Sequence, residues 1–498
     1  MRFRCVKIAG VSVKINGLYH DSRQVQPGGL YFALRDTRYI AEAVEKGAFV
    51  VVTNDAAVVL PKEVTKIIVS DVRSAMALAA KEFYGNVADK MRISGVVGTN
   101  GKTTTSYILR EILECAFERP VGLIGTNGIF NAGKDWNSIA TLTTPDPIDL
   151  HHALFDMFQN GVRDVVMEVS AHAIYYHKVD GINFNGVIFT NITQDHLDFF
   201  GNFENYKNTK LGFFRKLRCG NVIVNADDKY GRDVVAALKG QSQIYSTSYS
   251  LQNNLMSGVS QWAFVEKVKM FVYGSDFCLS KIGQCHLSLP GRYNICNAVG
   301  AALLALRYDV SSNVIKQALA KMPAVPGRFN FYNINGVNAI IDFAHTPDGL
   351  RQLLQNVRLT MSNNAKLWVV FGCGGDRDRG KRPLMGKIAY QLADYTVLTS
   401  DNPRTEEPVA IIDEIERGII TANTFTVKDY LDEKLSKKYL RIVDREKAIH
   451  YAINHASVGD VVVIAGKGHE NYIEINHQKI PYMDSKVLDN ILRGKCGL

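Results

Sequence analysis

Short runs of Val and Ile that end in small or polar residues recur along the chain and read as buried strands. They are KIIVS (66–70), ISGVVGT (93–99), VVMEVS (165–170), GVIFTNI (186–192), NVIVNADD (221–228), NAIIDFAH (338–345), LWVVFGCGG (367–375), YTVLTSDNP (395–403) and DVVVIAGKG (460–468). Helical periods lie between them, as in TTTSYILREILECAF (103–117) and PVAIIDEIERGI (408–419). Strands alternating with helices predict βαβ units, hence an α/β fold on mainly parallel sheet. In open sheets of this kind ligands gather at the carboxyl ends of the strands. The residues that follow each run are therefore the first candidates for chemistry.

Two breaks interrupt the alternation. YGNVADKMR (84–92) separates a helical stretch from a new strand, and MPAVPGR (322–328) places two prolines before strand resumes. With 498 residues, about three domains are expected. The breaks suggest 1–90, 91–326 and 327–498. Apolar residues are 46% and charged residues 21%, which excludes a disordered chain. The formal charge of +9 is mild over this length, and phosphate-bearing small substrates explain it as well as nucleic acid does. The N-terminal stretch has no secretory apolar core, because Lys7 and Lys14 interrupt it, and no run reaches membrane-span length. The eight cysteines form no CxxC pair. Free thiols in a cytoplasmic protein without structural zinc are expected.

The chemistry begins at ISGVVGTNGKTTT (93–105). A strand enters a glycine-containing loop, and a helix follows Gly101. Backbone N–H groups of such a loop, with the helix N-terminus, hold phosphate oxygens. Lys102 would neutralise the β- and γ-phosphates and the Thr103 hydroxyl would face Mg²⁺. Val96 stands where the longer phosphate-loop pattern has its first glycine, so the shorter form G-x-x-G-K-T-T from Gly98 applies. ATP is the implied cofactor, with Gly98, Thr99, Asn100, Gly101, Lys102, Thr103 and Thr104 as its cradle. Further on, Glu168, Ser170 and His172 follow one strand, and Asn191, Asp195, His196 and Asp198 follow the next. Mg²⁺ takes oxygen ligands and few protein contacts. Thr103 and Glu168 can hold one ion and His196 a second. Each acid or histidine alone also reads as an ion pair or a cap; their succession after strands favours the metal. Lys210, in ENYKNTKLGFF, reads from spacing alone as a solvated helix lysine.

GTNGKTT, EVSAH, FTNITQDHLD with YKNTK, LPGRYNICNA, VPGRF, DFAHTPD, GCGGDRDRGKRPLMG, DNPRTEEP and AGKGHE occur in that order. The series closely resembles the Mur ligases, ATP-dependent amide-bond ligases of cell-wall precursor synthesis, from about Asp21 to the C-terminus. The resemblance implies an N-terminal UDP-substrate-binding domain, a central P-loop-type ATPase and a Rossmann-like C-terminal domain that closes over the site. It implies that Lys210 is carbamylated and joins the second Mg²⁺, making Lys102, Glu168, His196 and Lys210 the catalytic set. Asn294, Asn297, Arg328, Asp342 and His345 would complete the ATP site, although Arg328, Asp342 and His345 also read as a salt-bridged hinge. Ser22, within Asp21-Ser22-Arg23, and Thr143, Thr144, Ser170 and Lys178 would contact the UDP substrate. Lys178 stands where the family's wording has arginine, and lysine lacks the planar fork. ALRDTRYIAEAVEKGA (33–48) also departs from the family's wording.

Within the family, DNPR points to the branch that adds meso-2,6-diaminopimelate to UDP-N-acetylmuramoyl-L-alanyl-D-glutamate. Arg377, Asp401, Asn402, Arg404, Gly466 and Glu470 would bind the diaminopimelate. Arg404 can grip its distal carboxylate bidentately, with Glu470 for the distal ammonium; the alternative is a surface pair of Arg404 with Glu406 or Glu407. The implied reaction runs through an acyl phosphate and needs positive charge and positioning, not a nucleophile triad. The expected protein is a cytoplasmic monomer without a membrane span or nucleic-acid partner. An L-lysine-adding ligase is the nearest alternative, a folate polyglutamylation enzyme a further one, and a nucleic-acid-stimulated P-loop ATPase the remotest.

Overall fold

The computed structural model describes residues 4–34, 37–132, 134–135, 142–239, 245–252, 256–271, 273–422 and 439–494. Arg35 and Asp36 of the atypical N-terminal stretch, and Cys496, lie outside these residues. The fold is mixed α/β on large, mainly parallel sheets. At the N-terminus the hairpin Arg4–Ile8 with Val11–Ile15 precedes a parallel sheet of Leu18–Tyr19, Gly29–Phe32, Ala48–Thr53 and Thr65–Ile68.

The second and largest sheet has eleven strands. Seven run parallel, in the spatial order Gly122–Gly125, Asp164–Val169, Arg92–Val97, Gly186–Phe189, Asn221–Asn225, Tyr245–Ser250 and Gln261–Phe271. Antiparallel strands extend both ends. Strand alternation divides its apolar side chains between two cores. Ile93, Val165, Met167, Val187 and Phe189 enter one, and Val96, Val166, Ile188 and Ile223 the other. A sheet covered on both faces needs apolar residues at nearly every position, which is why the sequence runs lack polar alternation.

The third sheet orders Asn330–Ile334, Val337–Asp342, Val461–Ala465, Leu367–Phe371, Tyr395–Leu398 and Tyr439–Arg441, parallel except for its first strand. It too lies between two cores, with Ile340 and Val463 on one side and Ile341 and Ile464 on the other.

Several strands stop before their sequence runs do. In 186–192 the strand ends at Phe189, because Thr190 Oγ1 and Asn191 Nδ2 both donate to the carbonyl of Asn100. The end of the apolar run is thereby committed to the neighbouring loop. The break at 84–92 contains Gly85 and Asn86 in left-handed conformation and a 3₁₀ turn, Val87–Lys90. The break at 322–328 follows the end of helix Ser312–Ala320.

Candidate active site

The phosphate loop is the connection between strand Arg92–Val97 and helix Lys102–Phe117. Its first-turn N–H groups have no intrahelical partners. Gly101 precedes the helix with φ of +85°, and a Cβ there would collide with the Asn297 side chain. Lys102 Nζ donates to the carbonyls of Gly98 and Thr99, at 3.1 and 2.9 Å, which curls it over the loop. Burial pushes its pKa down, with Glu168 and Asp195 opposing. Thr104, also in the first turn, is buried.

Glu168 faces this turn from the adjoining parallel strand Asp164–Val169. Its Oε2 accepts from Thr103 Oγ1 at 3.1 Å and Thr126 Oγ1 at 3.0 Å, and its Oε1 accepts from the Thr126 N–H at 3.0 Å. Among the described residues no three His, Cys, Asp or Glu side chains gather into a self-sufficient metal site. Thr103 and Glu168 nevertheless offer adjacent hard oxygens beside the phosphate loop, a donor set that fits Mg²⁺ completed by phosphate and water. His196 stands past the next strand, its Nε2 3.3 Å from Asp195 Oδ2 and its ring packed edge-on to His172. Burial pulls its pKa down to about 3. Burial opposes ionisation of Asp195, but His196, His345, Lys381 and Lys102 outweigh it and hold the carboxyl below its usual range.

Lys210 departs from the spacing-only reading. It is fully buried in helix Phe203–Lys216 because that helix turns its Tyr206, Lys210 and Phe214 face inward. Its Nζ donates to Tyr206 OH at 2.6 Å and to Thr99 Oγ1 at 3.1 Å. Among the described residues it has no ion-pair partner. Burial, aided by Lys102, drives its pKa well below the ordinary lysine value.

A cleft of about 540 Å³ joins these groups. From the central sheet it is lined by Thr99, Lys102, Thr103, Thr143, Glu168 and His196, and from helix Arg292–Arg307 by Asn294 and Asn297. Arg328, Asp342 and His345 close its other side. Arg328 donates to Thr103 Oγ1 at 3.0 Å and lies over Phe343, while Asp342 accepts from the Phe329 and Ala344 N–H groups. Among the described residues Arg328 and Asp342 make no direct salt bridge, but each buried charge favours the other against burial. Burial lowers His345 to about 4. Asn100 reaches beyond the phosphate cradle. It also donates to Asp348 Oδ2 at 3.1 Å and accepts from Thr346 Oγ1 at 3.4 Å. The third sheet's first crossover helix, Pro347–Thr360, thus sits directly on the phosphate loop.

A second cavity, about 150 Å³, adjoins the first and shares Asp195, His196, Phe343 and His345 with it. Its far end is made by Arg377, Asp401, Asn402, Arg404, Gly466 and Glu470, which follow strands Leu367–Phe371, Tyr395–Leu398 and Val461–Ala465. Arg404 does not pair with Glu406 or Glu407: its Nε binds Glu474 Oε2 at 2.9 Å and its NH1 donates to Gly375 O at 2.7 Å. Glu406 is taken by the fully buried Arg382.

The proposed UDP contacts divide. Thr144 Oγ1 donates to Glu168 O at 2.9 Å and lies 3.3 Å from Ser170 Oγ, and Ser170 caps helix Ala171–Tyr175. Lys178 is buried against Asp146 at 2.9 Å and Thr144 O at 3.3 Å. Ser22 lies in the N-terminal region, bonded to Glu42, and lines neither cavity.

Residues 96–305 match the Mur ligase middle domain and residues 327–468 match the Mur ligase, glutamate ligase domain. A UDP-N-acetylmuramoyl-L-alanyl-D-glutamate–2,6-diaminopimelate ligase of Clostridium tetani is 39% identical over 97% of this chain and 96% of its own length. The chain belongs to the Mur ligase family. It is accordingly an ATP-dependent ligase that forms amide bonds. The ligase of the same name from Caldanaerobacter subterraneus is 37% identical over 97% of this chain and 95% of its own length. A solved structure of a ligase with that name matches with a TM-score of 0.68 and 28% identity, covering 99% of both chains. No helix among the described residues of this Mur ligase is long and apolar enough to cross a membrane.

Proposed function

We propose that this chain joins meso-2,6-diaminopimelate to the D-glutamate carboxyl of UDP-N-acetylmuramoyl-L-alanyl-D-glutamate, in the cytoplasm and as a monomer. The observation that carries the reading is the second cavity. It places Arg377, Arg404, Asn402 and Glu470 at one end and opens at the other onto the phosphate cleft. An amino acid with a carboxylate and an ammonium at its far end meets cations, an amide and an anion there. Lysine would leave the side of the Arg404 fork not engaged by Glu474 and Gly375 without a carboxylate. The relatives reported above carry names with the same substrates. Residues 1–90 would hold the UDP portion through Ser22, with Thr143, Thr144, Ser170 and Lys178 from 91–326, and 327–498 would bring the amino acid.

In the first step the acceptor carboxylate forms an O–P bond to the γ-phosphorus while ADP leaves. In the second the diaminopimelate amine forms a C–N bond and phosphate leaves. Two anions meet in the first step, so the site must supply positive charge. Lys102, the N-terminus of its helix and Arg328 supply it, with Asn294 and Asn297 on the nucleotide side. Mg²⁺, when bound through Thr103, Glu168, His196 and a Lys210 carbamate, would polarise the phosphate oxygens. The burial of Lys210 without an ion pair supports the carbamate, because only a neutral amine adds CO₂. His196 and His345, both kept neutral by burial, face the junction where carboxylate and amine meet.

The test omits each component in turn and measures phosphate release. Release should require Mg-ATP and the UDP-linked acceptor together, and a stable amide product should require diaminopimelate as well. Full-rate hydrolysis of Mg-ATP by the protein alone would sink the reading.

A further inference from the structure

Behind the amino-acid cavity lie two charged side chains that do not line it, Lys467 and Glu474. We infer that Lys467 and Glu474 are positioning residues that set the cavity's selectivity for an amino acid with a distal carboxylate, an inference that rests on the diaminopimelate reading above.

Lys467 is fully buried two residues past strand Val461–Ala465. Its Nζ donates to Asn402 Oδ1 at 3.1 Å and to Glu470 Oε2 at 2.8 Å. The Glu474 N–H also donates to Asn402 Oδ1, at 3.0 Å. Two donors converge on that atom, so it must be the amide oxygen; the NH₂ end in its place would face N–H groups only. The NH₂ end is thereby fixed on the other side. One of its hydrogens goes to Glu470 Oε2 at 2.8 Å, which leaves the second as a donor. Glu470 Oε2 is saturated by Lys467 and Asn402, and Oε1 keeps its acceptor capacity. The buried Lys467 cation and the Glu474 N–H thus decide together which end of Asn402 donates, and Lys467 with Asn402 decides which oxygen of Glu470 remains available.

Glu474 does the same for Arg404. Hairpin Tyr472–Ile475 with Gln478–Pro481 clasps the Arg404 backbone, which donates to Glu474 O at 2.9 Å and accepts from the Asn476 N–H at 2.8 Å. Arg404 is held there with φ of +52°. The Glu474 carboxylate takes Nε and Gly375 O takes one NH1 hydrogen, while NH2 has no partner among the described residues. The guanidinium is pinned along one edge, and its NH1/NH2 edge is the one open to a carboxylate. Without Glu474 the fork can rotate, and bidentate recognition depends on its plane.

The experiment measures KM for ATP, for the UDP-linked acceptor and for diaminopimelate, together with the diaminopimelate-to-lysine product ratio in mixed reactions. The proteins are the full-length wild type, Lys467→Met, Glu474→Ala and Glu474→Gln. Lys467→Met and Glu474→Ala should each raise KM for diaminopimelate by about tenfold or more and lower the product ratio by a similar factor. KM for ATP should stay within about twofold, because neither residue reaches the phosphate loop. Glu474→Gln should recover most of the loss, since its amide oxygen still accepts from Nε. Should Lys467→Met fail to fold, the Glu474 pair, at a side chain that is 21% exposed, decides alone. An unchanged KM and ratio in Glu474→Ala, or losses spread equally over all three substrates, overturns the inference while leaving the functional reading intact. A wild type that adds lysine as readily as diaminopimelate overturns both.

Discussion

Replacing Lys210 by methionine should separate stability from catalysis at one position. The lysine is fully buried, among the described residues bonded to Tyr206 and Thr99 alone, and burial holds its folded pKa well below the unfolded one. In the window between the folded and unfolded values the unfolded chain binds the extra proton, so wild-type stability rises with pH there. Below that window the lysine destabilises the fold by about 1.4 kcal/mol for each unit of depression. Methionine carries no proton and removes that slope. It also removes two hydrogen bonds worth about 1 kcal/mol each, so the terms oppose. Denaturant melts in CO₂-free buffer should show the wild type gaining on Lys210→Met as pH rises from about 7 to about 10. Activity should behave differently. Loss of the proposed carbamate oxygen from the charge-stabilising set should lower ligation by about 10²- to 10³-fold. Lys210→Arg should fare no better, because a guanidinium stays cationic and forms no oxygen ligand. A short carboxylic acid should partly restore Lys210→Ala. Coupled ADP-release assays read all of this. Lys210→Arg within about threefold of wild type at saturating ATP would refute the reasoning.

Two further outcomes test the frame around the site. Gly101→Ala must place an L-residue at φ of +85° and displace the buried Asn297 amide from Asn294; at about 1–2 kcal/mol for the backbone and about 1 kcal/mol for the amide, Mg-ADP should bind about 30- to 150-fold more weakly by calorimetry, and unchanged affinity would contradict the phosphate-loop assignment. Asp484→Ala strands Arg445, whose Nε and NH2 bind the fully buried carboxylate at 2.8 Å each; unfolding in urea should require about 3–5 kcal/mol less, and an unshifted midpoint would contradict the account of that pair.

What the sequence made legible is what local pattern encodes. Val and Ile runs locate strands buried on both faces, and a strand that ends in GTNGKTT before a helical period leaves little freedom in how its loop is built. The six residues read for the amino acid follow three different strands, and parallel topology alone brings those strand ends together. The parts that stayed hidden depend on long-range partners. Arg404 has Glu406 and Glu407 close by in sequence, yet binds Glu474, seventy residues away, because a short exposed hairpin with no strong strand pattern clasps its backbone. Lys210 reads as a solvated lysine because one polar residue on a helix does not announce which face is buried; only the packing of Tyr206 and Phe214 decides that. Asn100 shows no sign in sequence of meeting Thr346 and Asp348, since that contact joins two separate sheets. Ser22 shows the converse, a motif residue that the fold leaves away from both cavities.

The role proposed for the second cavity is selection of diaminopimelate. Its most direct test is one reaction containing purified protein, Mg-ATP, the UDP-linked dipeptide and equal concentrations of meso-diaminopimelate and L-lysine, with products separated by mass. Two or more charge-assisted contacts are lost when lysine replaces diaminopimelate, so the diaminopimelate product should predominate by at least roughly 100-fold. Equal incorporation, or an excess of the lysine product, would contradict the account.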